Sequence, residues 1–555
     1  MYIIKIILII LLLSILKINK FYELFNNLNK KLKMKEVQEL SLQEKLGQLF
    51  IIGFKKPELT EEIKDMIKEY KFGNFILYSR NIVDLKQLEK LTRDIYEVVI
   101  NATGIMPFIA IDQEGGNTVR VMDESTFYPG PMTLSSTDIL NTRKVGHMMG
   151  RDLISLGINM NFAPLLDINN NPKNPIIGIR SYSDKPEIVS KYGIEIIKGM
   201  QSEGMIATAK HFPGHGDVEM DSHLGLPILP FNKKRLYDME LKPFKEAIDK
   251  GVKNIMSAHI VFKEVDSKNP ATISKEIIKG ILRDELNYKG LITSDCMEMK
   301  AISEGITTPV GVIKGIKAGI DLVCVCHTKQ RQIDSIVRLK QAIDENFISI
   351  EEIDEKIKRI LKYKNEIYNT INIKFLQNKN NLEIFKDSNQ KELLQKIVDS
   401  SLTFVNGNKL EIKGKTLIYW CRQFASNKAE DILNKDSFSE LLKKEIPYID
   451  TLEYKPKEYS TDLINKSKNY ETVIFISFKA FSMKNQAKMI NEINHICSNF
   501  FVIAMCNPYD YLSLDKNINF YTLYESTPNS MRTIIKFLKG DIEAKGKLPV
   551  TLEHI

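Results

Sequence analysis

Fifteen residues, Ala209 to His223, hold three of the chain's eight histidines together with Lys210, Asp217 and Asp221. Asp221 and His223 stand two apart, a spacing at which a carboxylate can orient an imidazole and raise its pKa, as a general acid or base requires. In an ordinary Asp turn the same spacing leaves His223 a solvated side chain. Pro213, Gly214 and Gly216 interrupt any regular element, which places these polar groups on an irregular loop after the apolar run Met205 to Ala209. The same breakers deny His211 and His215 the helix that would set them side by side as a metal pair. Zinc held with Asp217, Asp221 and His223 is conceivable on residue type, but no metal and no cofactor is expected.

Carboxylates recur at the ends of other apolar runs. Asp295 closes Leu291-Ile292-Thr293-Ser294-Asp295, where it can be a nucleophile or merely cap the helix that follows. Asp112 and Glu114 flank Gln113 just before Gly115-Gly116, in a segment that also reads as a structural turn. Two separate carboxyl sites with cationic groups nearby suit glycoside hydrolysis, in which a nucleophile and a proton donor flank the scissile bond.

These groups need a scaffold that brings them together, and the hydropathy pattern supplies one. Eight short apolar runs, beginning near Leu49, Phe72, Phe108, Met160, Ile206, Asn254, Leu291 and Asp321, alternate with seven mostly helical stretches. Strands alternating with helices imply a parallel sheet, and eight units in such a length fit a (β/α)8 barrel; an open doubly wound sheet is the competitor. In a barrel Asp112, Lys210, His211, His259 and Asp295, all at C-terminal strand ends, share one face. The domain reading is a hydrophobic signal or anchor with a basic linker over 1–36, the barrel over 37–375, a polar linker over 376–390 and a smaller α/β sandwich domain over 391–555. Its strands are read at Thr416 to Trp420, Thr472 to Ile476 and Phe500 to Ala504.

Composition adds limits. The 555 residues are 43% apolar and 27% charged, as in folded globular proteins. The net charge of +8 is mild for this length, and its lysines are dispersed, so no nucleic-acid partner is expected. Six cysteines lie mostly inside apolar runs and read as buried free thiols. Ile6 to Leu16 are apolar apart from Ser14, too short for an ordinary spanning helix and suited to an uncleaved signal-anchor. That reading puts the protein outside the cytoplasm, membrane-anchored or secreted. Lysines 17, 20, 30, 31, 33 and 35 oppose it through the positive-inside rule, and a start at Met34 would make the protein cytoplasmic.

Lys210-His211-Phe212-Pro213-Gly214-His215-Gly216-Asp217 with Asp221-Ser222-His223 resembles the signature of glycoside hydrolase family 3, in its β-N-acetylglucosaminidase (β-hexosaminidase) branch. Ile111 to Gly116, Ile177 to Tyr182 and Ile292 to Asp295 resemble that family's other motifs in the same order. Asn507-Pro508-Tyr509-Asp510 and Gly546 to Val550 are similar to its two-domain form in Gram-positive bacteria. The resemblance implies that Asp295 attacks the anomeric carbon and that His223, oriented by Asp221, protonates the leaving oxygen and then activates water. It implies that Asp112, Arg120, Arg180, Lys210 and His211 hold a non-reducing N-acetylglucosamine, and that Lys210 and Arg180 lower the pKa of Asp295. The implied substrate is an N-acetylglucosaminyl–N-acetylmuramic muropeptide; the oligomeric state stays open. Phosphorolysis at the same site, a β-glucosidase of the family and a non-catalytic wall-binding protein are the alternatives. Two departures stand out: Asn117 where the family often has Arg, and Cys296 directly after Asp295.

Overall fold

The computed structural model describes residues 35–122, 126–378, 380–422, 429–430 and 438–553. The apolar segment at residues 6–16 lies outside the described residues. No described helix is long and apolar enough to cross a membrane.

Eight parallel strands close into a barrel: β1 (Phe50–Ile52), β2 (Asn74–Leu77), β3 (Phe108–Ile111), β4 (Met160–Asn161), β5 (Ile206–Phe212), β6 (Asn254–Ser257), β7 (Leu291–Cys296) and β8 (Leu322–Val325). Closure is visible at Ile51, whose register partners are Asn74 in β2 and Cys324 in β8, so the open sheet is excluded. Their residues are almost all buried, because side chains fill the barrel on one side and helices cover the other. Local signals set the helices. Asp84 caps Leu85–Thr103 by accepting from Gln87 N–H at 2.7 Å, and Gly104 ends that helix at φ 70°.

Two strands differ from the sequence reading. β4 is only two residues long, since Phe162 to Pro164 leave the regular ladder and bond singly to neighbouring strands. β5 runs on past Ala209 to Phe212, so Lys210 and His211, expected at its end, lie within the strand. The Lys210 backbone is engaged on both sides, donating to Pro164 O at 3.1 Å and accepting from Leu166 N–H at 2.6 Å.

The second domain is a six-stranded sheet of β9 (Thr403–Asn406), β10 (Thr416–Trp420), β11 (Asp450–Glu453), β12 (Thr472–Ser477), β13 (Phe500–Ala504) and β14 (Asn519–Thr522). Its order is β9-β14-β13-β12-β10-β11, parallel except for β9. Neighbouring residues such as Leu417 and Ile418, or Val473 and Ile474, enter different cores on opposite faces. All six cysteines of the chain are free.

Helix Ser388–Ser401 joins the two domains. Leu394 and Ile397 pack into the barrel's core, while Asp399 meets Thr533 at 2.7 Å and Lys536 at 2.6 Å on the second domain's last helix. Residues just before it are strapped to the barrel, where the Arg93 guanidinium donates to the carbonyls of Phe375 and Asn378. The C-terminal ends of β12, β13 and β14 lead into loops that meet the barrel mouth. There Glu525, fully buried, accepts from Gly130 N–H at 2.8 Å and Thr133 Oγ1 at 2.6 Å on the barrel side, and from Thr527 Oγ1 at 2.8 Å on its own. Removing its carboxylate strands buried donors on both domains. Glu525→Ala should therefore lower the unfolding free energy by about 2–4 kcal/mol in denaturant titration. An unchanged midpoint would mean that this contact does not couple the domains.

Candidate active site

A cavity of about 530 Å³ opens at the C-terminal end of the barrel and takes residues from the ends of β2 through β8. Asp112, Arg120, Arg180, Lys210, His211, His223 and Asp295 all line it; Asp221 stands behind His223.

Its inner end is a network of buried charges. Lys210 Nζ lies 3.0 Å from Asp112 Oδ1 and 2.7 Å from Glu114 Oε1, and Arg180 grips Glu114 through Nε and Nη2 at 2.8 and 2.7 Å. Burial alone would push Glu114 toward its neutral form, but Arg180 and Lys210 hold it well below the usual carboxylate range. Lys210, buried too, keeps its charge because Glu114 and Asp112 outweigh its desolvation. Arg180 also donates to Ile176 O through Nη1 at 2.9 Å, so most of its donors already serve the protein. The turn that presents Asp112 and Glu114 depends on Gln113, whose Oε1 accepts from Arg120 and Val121 N–H at 2.8 and 3.1 Å. Gly115 is required in it: at φ 92° an added Cβ would lie 2.6 Å from Pro129 O.

The histidine segment splits into an inner and an outer part. His211 Nδ1 bonds Asp167 Oδ2 at 2.7 Å, and Asp167 Oδ1 accepts the backbone N–H of both His211 and His215. Gly216 then passes so close to Ile168 that an added Cβ would sit 1.5 Å from its carbonyl oxygen. Further out, Asp221 Oδ1 accepts both the N–H and Nδ1–H of His223, at 2.8 and 2.7 Å. Burial opposes the Asp221 charge, yet these bonds lower its pKa. The ionised carboxylate fixes the proton on Nδ1 and leaves Nε2 for chemistry. His215 joins the two parts: its N–H is held by Asp167 and its Nε2 meets Ser222 Oγ at 3.0 Å. Asp217 lies outside the cavity lining, against Asn170 and Arg235.

Asp295 ends β7 with Oδ1 accepting the Cys296 N–H at 2.7 Å. Burial would raise its pKa, but His259, His211, His223 and that N–H together bring it to about 2. The source differs from the Lys210 and Arg180 expected from sequence, because those cations are bound to Glu114 and Asp112. His259 is itself pushed down by burial and is neutral at pH 7, so it acts on Asp295 as a cation only in acid. It stays outside the cavity lining, bonding Thr272 Oγ1 at 2.8 Å and Cys296 O at 3.0 Å, which steadies the backbone beside Asp295. Asn117 lies outside the cavity lining and accepts from Ser526 N–H at 2.7 Å, across the domain interface.

Sequence reasoning passed over three contributors. Asp167 follows the irregular end of β4, and only its position in space reveals it as the orienting partner of His211. Glu114 was visible beside Asp112 but not as the hub between two cations. Ala429 of the second domain lines the cavity, and its carbonyl accepts from Arg120 Nη1 at 3.1 Å; an alanine carries no chemical signal. Among the described residues no cluster of three or more His, Cys, Asp or Glu has the geometry of a metal site.

A family model described as the glycosyl hydrolase family 3 N terminal domain matches residues 41–363. The chain belongs to glycosyl hydrolase family 3. Beta-hexosaminidase A of Pseudoalteromonas piscicida is 32% identical over 369 residues, 59% of this chain and 62% of that protein, so the match spans less than two thirds of that relative. Beta-hexosaminidase of Photobacterium profundum is 34% identical over 297 residues, 53% of this chain and 85% of that protein. A solved family 3 β-N-acetylglucosaminidase from Paenibacillus sp. str. FPU-7 aligns with a TM-score of 0.85 at 33% identity, covering 93% of this chain and 100% of its own.

His215 carries a pH signature. Burial depresses its pKa from 6.5 to about 4, and its Nδ1 meets no hydrogen-bond partner among the described residues. Between those values the unfolded chain binds a proton that the folded chain refuses, so stability falls on acidification across that window and levels off below it. The slope from this one group approaches about 1.4 kcal/mol per pH unit. His215→Gln should flatten the decline in melting temperature between pH 6.5 and 4; identical slopes in both proteins would refute the assignment.

Proposed function

We propose that this protein is a retaining exo-β-N-acetylglucosaminidase that removes non-reducing terminal N-acetylglucosamine from peptidoglycan-derived fragments. One observation carries the reading: an ionised Asp295 and an Asp221-oriented His223 line one cavity whose inner end is a buried array of sugar-binding type. The hexosaminidase and N-acetylglucosaminidase names of the relatives support the substrate class. In this mechanism an Asp295 carboxylate oxygen attacks C1 while His223 Nε2–H protonates the leaving oxygen, giving a covalent glycosyl-enzyme. The now neutral imidazole takes a proton from water, which attacks C1 and releases the sugar. Asp112, Arg120, Lys210 and His211 hold the sugar's polar groups, with Arg180 fixing the carboxylate that holds Lys210. Anchoring through the N-terminal apolar segment would put this activity outside the cytoplasm.

A histidine donor brings no negative charge beside the leaving group, so an anionic acceptor such as phosphate is compatible with the same site. Product analysis with a disaccharide muropeptide, with and without phosphate, decides this: free N-acetylglucosamine in both arms is the expected result, and a sugar 1-phosphate would replace hydrolysis by phosphorolysis.

Asp295→Asn should cut turnover by roughly 10³-fold or more, and a 5-fluoro glycosyl analogue should label Asp295 in the parent protein. A label on another carboxylate would reassign the nucleophile. His223→Ala should lose about 10²–10⁴-fold with sugar leaving groups and far less with 4-nitrophenolate, which needs little protonation. Equal losses with both would remove His223 from the acid role.

A further inference from the structure

The second domain touches the sugar end of the cavity through a supported backbone carbonyl. Arg120 lies between two acceptors, Ala429 O at 3.1 Å and Asp112 Oδ2 at 3.8 Å. Ala429 packs its methyl group with Leu165, Ile176 and Ile177 on the barrel. The next residue, Glu430, is buried and its Oε1 lies 2.7 Å from Lys479 Nζ, in an ion pair whose side chains are 3% and 14% exposed. Lys479 is held in turn. It has left-handed backbone, φ 58°, just after β12, at the start of the turn Ala480–Ser482. The buried Asp510 clamps that turn, accepting from Ser477 Oγ at 2.7 Å on one side and Phe481 N–H at 3.0 Å on the other. A continuous set of bonds thus runs from the second domain's sheet to Arg120.

We propose that Lys479 and Glu430 are positioning residues for sugar binding: their ion pair fixes Ala429 so that its carbonyl holds the Arg120 guanidinium beside Asp112. The inference rests on the reading of Arg120 as a sugar-binding group. A guanidinium presents its donors in a rigid planar fork, so anchoring one edge on Ala429 O aims the remainder, and this orientation would otherwise have to be fixed on binding. Neither Lys479 nor Glu430 lines the cavity, so the pair acts through Arg120 and not on the reacting atoms.

Kinetics with 4-nitrophenyl N-acetyl-β-glucosaminide on the full chain test this. Lys479→Met and Glu430→Gln should each raise KM by about tenfold with kcat within about twofold, the pattern of lost uniform binding. The exchanged pair, Lys479→Glu with Glu430→Lys, should bring KM back to within about threefold of the parent. Adding Lys479→Met to Arg120→Ala should raise KM no further than Arg120→Ala alone, because both act through one group. Thermal melting is followed in parallel. A lowered melting temperature with unchanged KM, or a KM increase additive with Arg120→Ala, would make the pair purely structural and overturn the proposal. Unchanged KM in Arg120→Ala would instead overturn the sugar-binding reading of Arg120 itself.

Discussion

The cavity depends on one buried carboxylate, Glu114. Alone in the barrel its charge would be strongly unfavourable; with Arg180 from the loop after β4 and Lys210 from β5 it becomes the point at which three elements are fastened. Asp112 links Lys210 to Arg120, so each buried cation at the inner end stands beside a carboxylate. Loss of Glu114 would take the carboxylate from the buried Arg180 guanidinium, a defect of about 3–5 kcal/mol. The same arrangement fixes the polar groups before any ligand arrives, which is the condition for a site to bind without reorganising.

Separate charge systems then explain how Asp295 and His223 can work at one mouth. The strong cations are engaged at the inner end, so the carboxylate at the end of β7 is governed by imidazoles and by the Cys296 N–H. It remains ionised at neutral and mildly acidic pH. His223 bonds Asp221 through both its N–H and its Nδ1, and that contact fixes the Nδ1 proton. His215 and His259 are buried neutral imidazoles that brace backbone and neighbouring side chains. His211, His215, His223 and His259 are thus set apart by burial and by the partner each one meets.

What was legible in the sequence follows the range of the signals. The barrel came through because its strands are covered on both faces and read as separate apolar runs. In the second domain β10, β12 and β13 were legible for the same reason. Thr403–Asn406 and Asp450–Glu453 were not, since they are edge strands with mixed polar composition. At the mouth, residues with reactive side chains announced themselves by type and spacing. Asp167 and Ala429 did not: the first looks like any aspartate after an apolar run, and the second contributes only a peptide oxygen. Their importance exists only in three dimensions. The extent of β5 was misread because Pro213 and Gly214 signal a break, whereas the Lys210 backbone is still paired with the chain after β4.

The position of the proposed proton donor also bears on what the second domain is free to do. Asp221 and His223 belong to the loop after β5, so both groups proposed for chemistry come from the barrel. The second domain nevertheless directs the C-terminal ends of its parallel strands at the barrel mouth, the end of such a sheet at which ligand-contacting loops arise. Its loops contribute Glu525 and Ser526 to the interface and Ala429 to the cavity. With the proposed acid–base groups on the barrel, the second domain can vary its loops without altering Asp295 or His223. Changes there would reach the cavity through Ala429 and Arg120, while Asp295, Asp221 and His223 keep their places on the barrel.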